Sequence, residues 1–429
     1  MARRAMATAG RKVFPDHWSF LLGEIAAYSL VVLFGTGIAL AFVFDASDAR
    51  VVYDGDYEPL AGVEMSRAYR SVVDLSLGGT AGLALRQTHH WAALVFVGAI
   101  ALHACRVFFT GAFRRPRRLN WSIGVTLLAL ALLTGFAGVA LPDDVLGGTG
   151  ARIGYASVLS VPVVGPGLAF WVFGGEFPGA QMVNRLWLFH VFVLPLAIAG
   201  AFGSHLWLLW RQTHTQMPGP WRRDRSIAGD RLWPRHLART SALFAVVVAV
   251  LGALGATVQV NPVWLHGPFD EGAATVPAGP DWFLMWIEGA LRIVPAVGVE
   301  LGSFEVPSPF FVGVALPLAF FALLYAWPLI EERATGDRAE HHTLERPADR
   351  PVRAALGSTA LSVLAVLGLA ANHDYLGSVL GVSIEDMTAA FRLLLVVVPP
   401  SVGAVVFVLA RQRSGARRPA GARRRAPAA

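Results

Sequence analysis

Charged residues are scarce in this chain of 429 residues. Only 15% of the side chains are charged and 55% are hydrophobic, whereas an ordinary soluble chain is about 25% charged. The shortage of charge argues against a soluble protein, and the abundance of apolar residues argues against an intrinsically disordered one. The composition therefore predicts an integral membrane protein.

Cysteine and lysine are each limited to one residue, Cys105 and Lys12. One cysteine excludes an intramolecular disulfide, a cysteine-bound metal cluster and a Cys-x-x-Cys-His motif for covalent haem. The net charge of +7 comes almost entirely from arginine. These arginines lie between apolar runs, a pattern typical of a membrane surface, so we expect no nucleic-acid partner.

Eight apolar stretches are long enough, or nearly so, for the roughly 20 residues that a membrane-spanning helix requires. We number them α1 to α8: 19–44, 91–113, 121–142, 186–210, 240–260, 308–330, 354–371 and 387–410. A ninth stretch, 153–173, is interrupted by Pro162 and Pro166 and predicts short helices lying on the membrane surface. The expected fold is an all-α integral membrane protein with eight transmembrane helices.

The distribution of arginine predicts how these helices are oriented. Segments 1–18, 109–120, 211–239, 331–353 and 411–429 carry 4, 4, 7, 5 and 7 basic residues, and the alternating segments 45–86, 142–185, 260–307 and 372–391 carry 4, 2, 1 and 0. Basic loops favour the cytoplasmic side. We therefore expect a multi-pass protein of the cell membrane with both termini cytoplasmic, and a solvated basic tail that includes Arg423.

Four histidines lie within predicted spans, where histidine is costly and usually functional. In α2, His89 and His103 are 14 residues apart, and in α4, His190 and His205 are 15 apart. At about 100° per residue each spacing returns to one broad helix face. Since both helices run from outside to inside, His89 and His190 form an outer pair, and His103 and His205 form an inner pair about 20 Å away.

Two histidines with no acidic or sulfur ligand at their depth suit haem iron. Zinc would require a third or fourth ligand, and the sequence offers none. The remaining alternative is a set of structural histidines bonded to helix backbones. Two pairs at matched depth on parallel helices favour the haem interpretation, in which His89, His190, His103 and His205 bind iron.

Arginine and glycine recur in step with these histidines. Arg86 precedes His89 by three residues, and Arg106 follows His103 by three, so each lies one turn nearer a membrane surface and can pair with haem propionates. Helices α1 and α3 carry glycines with the same step of 14 residues: Gly23, Gly37, Gly124 and Gly138. These glycines leave room for a flat macrocycle, although membrane glycines also serve helix packing.

Further motifs accompany the histidines and arginines. They are Arg86-x-x-His89, His103-x-x-Arg106, Asn120-Trp121-x-x-Gly124, Leu141-Pro142-Asp143-Asp144, Arg185, Asn261-Pro262-Val263-Trp264-Leu265 and Pro280-Asp281-Trp282-Phe283. Together these motifs resemble cytochrome b of the cytochrome bc complexes, the quinol–cytochrome c reductases, and in particular the actinobacterial branch. The resemblance covers α1 to α8, and it predicts a four-helix haem-binding bundle in 1–210 and a second membrane region with a basic tail in 211–429.

The resemblance implies a subunit that oxidises menaquinol or ubiquinol at an outer site. Electrons then cross the membrane through two non-covalent b-type haems to an inner quinone site, which contributes to proton-motive force. The outer pair would hold the low-potential haem and the inner pair the high-potential haem. Implied partners are a Rieske iron–sulfur subunit, a cytochrome c subunit, a haem-copper oxidase in a supercomplex, membrane lipid and a second copy of the chain.

The family's outer site carries a Pro-Glu-Trp-Tyr motif, which corresponds here to Pro280, Asp281, Trp282 and Phe283. The resemblance makes Asp281 the carboxylate that takes a quinol proton, and it makes Gly150 a residue of the same pocket. A Pro-Asp-Trp sequence also suits an ordinary helix start. The chain departs from the family at Phe283 and Val139, where tyrosines are expected.

The inner site departs as well, because Trp210 replaces a family histidine. His214 is a nearby substitute, but its basic loop predicts a solvated side chain, and we expect His373 at the surface too. Two alternative functions remain: a dihaem conduit for a quinone-linked dehydrogenase without electron bifurcation, which has no need of Asp281, and a transporter or assembly protein with structural histidines.

Overall fold

The computed structural model describes residues 10, 12–177, 179–220, 222–224, 226–272, 279–302 and 304–416. It confirms eight helices long and apolar enough to cross a membrane. Their bounds are α1 Trp18–Ala41, α2 Thr80–Phe109, α3 Arg118–Ala140, α4 Met182–Gln212, α5 Leu232–Thr257, α6 Phe310–Thr335, α7 Pro351–Ala370 and α8 Ile384–Ser414. The predicted basic tail at Arg423 lies outside the described residues.

The connections between spans contain short elements. As the prolines predict, 153–173 is not one span: it is divided between the helices Val145–Leu159 and Gly165–Phe173. The other short helices are Glu58–Leu60, Arg67–Leu77, Val263–His266, Met285–Ile293, Pro347–Asp349 and His373–Leu380. Among the described residues, three antiparallel strand pairs lie in the connections: Val13–Pro15 with Gly229–Arg231, Arg50–Val52 with Glu64–Ser66, and Val299–Leu301 with Phe304–Val306.

A π-helical turn interrupts α4 at the outer histidine. The segment Phe189–Val193 is π-helical and contains His190, and Pro195 follows within the next α-helical segment, Leu194–Gln212. Proline lacks an N–H and its ring clashes with the carbonyl four residues earlier, which favours such a bulge. The bulge takes up one additional residue. The 15-residue step from His190 to His205 therefore brings both rings to one helix face, as the 14-residue step does in α2.

The first four spans enclose one apolar core. Helix α1 packs against α2, and α3 packs against α4. The core between them is formed by Ala26, Leu30, Phe96, Val97, Ala99, Leu127, Ala131, Ile198 and Phe283. In each helix these residues fall between the outer and inner histidine or glycine, so the core separates the two predicted sites.

A second core joins the C-terminal spans to the connection that precedes α6. Helices α7 and α8 pack closely against each other, and the short helix Met285–Ile293 packs on α7. The buried residues here are Trp286, Ala290, Ile293, Val312, Val366, Leu367, Ala370, Met387 and Phe391. This arrangement presents residues 280–283, just before Met285, to the first four spans.

Candidate functional site

The two predicted histidine pairs are brought face to face. The rings of His89 and His190 have centroids 6.1 Å apart at an interplanar angle of 72°, and the rings of His103 and His205 are 6.5 Å apart at 75°. A metal bonded to both rings at about 2 Å would place their centroids about 6 Å apart. Both pairs therefore have the spacing that a bis-histidine iron requires.

Hydrogen bonds set the tautomer of both outer histidines. His89 Nδ1 lies 2.8 Å from the Thr36 hydroxyl, whose own hydrogen is donated to the Val32 carbonyl at 2.7 Å, so His89 is the donor. His190 Nδ1 donates to the Thr134 carbonyl at 2.9 Å. With both protons on Nδ1, each Nε2 keeps the lone pair that binds metal.

Each of the four glycines faces one histidine ring. A Cβ added at Gly37 would lie 3.1 Å from His89 Cε1, and one at Gly23 would lie 3.1 Å from His103 Cε1. On the other side, a Cβ at Gly138 would approach His190 Cε1 to 2.4 Å, and one at Gly124 would lie 3.7 Å from His205 Cε1. The missing side chains therefore leave room for the imidazoles themselves, a contact that the glycine spacing alone did not reveal.

The two arginines differ in their protein partners. Arg86 Nη2 donates to the Asn261 carbonyl at 3.1 Å, and buried Asp144 is close enough to act on its charge. Arg106 stacks over the Phe20 ring at 4.5 Å, and it forms no ion pair with the residues that the structure describes. Both guanidinium groups keep a buried Nε without a hydrogen-bond partner, so each can receive an anionic group.

The donor set fits haem better than a multi-ligand metal ion. Within the described parts of the chain, no group of three or more histidine, cysteine, aspartate or glutamate residues could hold a metal. His103 Nδ1 is buried without a hydrogen-bond partner among these residues. Two-histidine sites with facing glycines and an arginine one turn away therefore suit two b-type haems.

A cavity of about 600 Å³ adjoins the outer pair. Its wall includes both histidines of that pair, Arg86, Asp281 and Phe283. Gly150, which the resemblance placed in the outer pocket, does not line this cavity, and a Cβ there would meet no atom within 4 Å. The cavity therefore brings the proposed proton acceptor beside the outer pair and leaves Gly150 outside.

The motif Pro280–Phe283 is docked onto α2 and α3. The ring of Phe283 is 3% exposed and fits against Gly135, where an added Cβ would lie 2.7 Å from the ring. Trp282 packs on Gly98 of α2 at 3.5 Å by the same measure. The Asp281 carboxylate meets His90, whose Nε2 lies 2.9 Å from Oδ2.

The sequence interpretation did not single out His90. The signal was present, because a histidine within an apolar span is unusual wherever it lies, and His90 follows His89 directly. Consecutive helical residues point about 100° apart. His89 therefore faces the bundle interior, while His90 reaches the connection between α5 and α6.

One buried carboxylate, Asp144, supports Arg86 from the loop after α3. Asp144 is 0% exposed. Its Oδ1 accepts the Gly147 N–H at 3.1 Å, and its Oδ2 accepts a weak bond from Asn261 at 3.5 Å. Burial raises the pKa of Asp144, and it raises the pKa of Asp143 to about 6. Asp144 and Asn261 thus fix the carbonyl that orients Arg86.

Two histidines expected at the surface are buried. His214 is 8% exposed, because Phe14 packs between it and His236 with ring centroids 4.4 and 4.0 Å away. Burial, with a smaller contribution from the charge of Lys12, lowers the pKa of His214 to about 4. His373 is also 8% exposed. Both surface predictions were wrong, and at His214 the reason is that Phe14, from a distant segment, covers the ring.

Comparison with known proteins places the chain in a family. Residues 94–268 match the family model described as cytochrome b (N-terminal)/b6/petB. The chain is 46% identical over 392 residues to the cytochrome bc1 complex cytochrome b subunit of Mycobacterium tuberculosis strain H37Rv, covering 91% of this chain and 71% of the relative. The corresponding subunit of Streptomyces coelicolor is 41% identical over 393 residues, with the same shares covered.

The chain belongs to the cytochrome b subunits of cytochrome bc1 complexes. This membership confirms the predicted family and its actinobacterial character, and it identifies the chain as the b subunit of a respiratory quinol–cytochrome c reductase. It implies haem b binding and a place in a multi-subunit complex. The dihaem conduit for a separate dehydrogenase is not favoured.

A solved structure supports the fold of this cytochrome b subunit. A chain of a hyperthermophilic respiratory complex III is similar with a TM-score of 0.66, covering 95% of this chain and 96% of that one. The two sequences are only 18% identical, so the likeness concerns the fold. The all-α membrane architecture is therefore confirmed, while the roles of individual residues remain predictions.

Proposed function

We propose that the chain holds two non-covalent b-type haems, the outer one in the part of the cavity that His89 and His190 line, and oxidises a quinol in the part of the same cavity that Asp281 lines. The single observation that carries this proposal is the contact of one cavity with the outer histidines and with Asp281. A largely buried carboxylate in the wall of an apolar cavity suits general-base chemistry. When bound, the haems supply one-electron transfer between the two sides of the membrane.

The protein residues have separate roles in this scheme. His89 and His190 would hold the outer haem through Nε2, with Nδ1 fixed by α1 and α3. His103 and His205 would hold the inner haem. Arg86 and Arg106 would receive the propionates, and the absence of a side chain at the four glycines leaves the imidazoles the room they occupy.

Asp281 accepts a proton from the quinol hydroxyl at the cavity wall and passes it to the outer side. Pro280 and Trp282 position the aspartate, and Phe283 closes the wall at Gly135. Asp281 has a side chain one methylene shorter than the family's glutamate. Because phenylalanine and valine stand at positions 283 and 139 where the family has tyrosine, Asp281 is expected to carry more of the proton transfer. Gly150 does not line the cavity and has no role in this scheme.

The proposed assembly follows the family. One electron of each quinol passes to a Rieske iron–sulfur subunit and onwards to a cytochrome c subunit, and the other crosses to a quinone near the inner pair. A second copy of the chain and a haem-copper oxidase complete the assembly. The chain lies in the cell membrane with both termini cytoplasmic, as the arginine distribution indicates, and menaquinol is the expected substrate.

The test is turnover of the assembled complex with menadiol as the quinol and cytochrome c as the acceptor. Wild-type complex should contain two haems b per chain. Asp281→Asn should slow cytochrome c reduction by about a hundredfold, the lower range for loss of a general base, and should leave both haems bound. Asp281→Glu should retain most activity. Wild-type turnover by the Asp281→Asn variant would contradict the proposed role of Asp281 as the proton acceptor.

A further inference from the structure

His90 forms the only hydrogen bonds that the described residues offer to the Asp281 carboxylate. Its Nε2 lies 2.9 Å from Oδ2 and 3.1 Å from Oδ1. The two side chains are 15% and 14% exposed, and 191 residues separate them in the sequence. A carboxylate with one largely buried donor has its orientation determined by that donor.

Both partners belong to the cavity wall. His90 and Asp281 line the same space, together with His89 of the outer pair. His90 is carried by the rigid helix α2, whereas Asp281 lies in the connection that precedes Met285–Ile293. The contact therefore transfers the positional accuracy of a helix to a carboxylate on a loop.

We propose that His90 is a positioning residue of the outer quinol site, which holds the Asp281 carboxylate towards the cavity by donating its Nε2 hydrogen. The proposal rests on the proposed proton-accepting role of Asp281. An aspartate has less reach than a glutamate, so its productive orientations are fewer. A fixed donor on α2 keeps the carboxylate in one of them.

A neighbouring residue provides a matched control. Gln87 also attaches α2 to the chain beyond α5, because its side chain donates to the Val260 carbonyl at 3.0 Å and accepts the Val260 N–H at 2.8 Å. It lies two residues before His89 and does not line the cavity. Gln87→Leu therefore breaks a structural attachment of the same kind without reaching Asp281.

The experiment compares variants in the assembled complex, with haem content and menadiol-driven turnover measured together. His90→Leu should lower kcat about tenfold, a part of the loss expected on removing the base itself, with KM for menadiol changed less than about twofold. His90→Gln retains an N–H donor and should keep at least half of the activity. Gln87→Leu should reduce thermal stability, with turnover per haem near that of wild type.

A double-mutant cycle distinguishes positioning from general damage. If His90 acts through Asp281, His90→Leu should cause no further loss in the Asp281→Asn background. An unchanged tenfold loss in that background, wild-type kcat in His90→Leu, or equal losses in the Leu and Gln variants would each overturn the proposal. If Asp281→Asn alone turns over at the wild-type rate, the proposed function of Asp281 fails first, which is a different result.

Discussion

The outer and inner histidine pairs share a plan and differ in their surroundings. Both have facing rings at nearly the same separation, 6.1 and 6.5 Å. Around the outer pair, Nδ1 of each ring is hydrogen-bonded and a cavity lies alongside. In the inner pair, His103 Nδ1 has no partner among the described residues. The protein therefore fixes the orientation of both outer imidazole rings through hydrogen bonds, while the orientation of the His103 ring depends more on the group that it binds.

The largest effect should come from removing one ligand of each pair in turn. His89→Leu should reduce haem content from two per chain to one and leave the inner haem, and His103→Leu should do the reverse. The apolar core between the sites keeps the two losses independent. Haem extraction and reduced-minus-oxidised spectra measure this directly. Loss of both haems in either variant would show that haem binding at one histidine pair depends on the other pair.

A methyl group added opposite each α4 histidine should affect the outer site more than the inner site. A Cβ at Gly138 would lie 2.4 Å from His190, and one at Gly124 would lie 3.7 Å from His205. Gly138→Ala should therefore displace His190 and remove most of the outer haem. Gly124→Ala makes an ordinary contact and should retain both haems. Equal haem content in the two variants would contradict the difference in fit.

The next expectation concerns the arginines. Arg86 already has Asn261 and Asp144 for neighbours, whereas Arg106 has no described ion-pair partner. Arg106→Leu removes a positive charge that favours the reduced haem, so it should lower the inner potential by about 60 mV, a tenfold change for one electron. Arg86→Leu should lower the outer potential by less. Redox titration of the two α-bands checks both, and equal shifts would refute the comparison.

The sequence predicts the local features of this molecule well. Eight spans follow from apolar length, and four histidines follow from helical spacing, because both properties repeat along a single helix. From the sequence, the 15-residue step in α4 indicated only that His190 and His205 share one broad helix face. The π-helical segment Phe189–Val193, which accommodates the additional residue, precedes Pro195 and places His190 in hydrogen-bond contact with Thr134 of α3. Sequence spacing alone could not predict this contact.

Contacts between distant segments could not be predicted in this way. His90 and Asp281 are 191 residues apart, and no periodicity connects a helix to a later loop. The burial of His214 depends likewise on Phe14, 200 positions earlier in the chain. Polarity predicted a surface residue there, whereas the strand pair Val13–Pro15 with Gly229–Arg231 brings Phe14 over the ring.

The smallest expected effect tests how the protein orients the outer pair. Thr36→Val has nearly the same volume as wild type but removes the hydroxyl that accepts His89 Nδ1 at 2.8 Å. Hydrogen bonds of this kind typically change metal affinity 10- to 100-fold. We expect the outer haem to bind about tenfold more weakly, since the ring loses its fixed orientation and part of its basicity. The inner haem should be unaffected.

Thr134→Val is the matched control for this change. Its hydroxyl donates only to the Leu130 carbonyl at 2.7 Å, while His190 bonds to the Thr134 backbone carbonyl, which the substitution keeps. Both variants lose one threonine hydroxyl from a span beside the outer pair. Transfer of each haem to excess apomyoglobin, followed at its own α-band, measures retention. Faster loss of the outer haem in Thr36→Val alone assigns the effect to the His89 bond, whereas equal loss in both variants would assign it to helix packing.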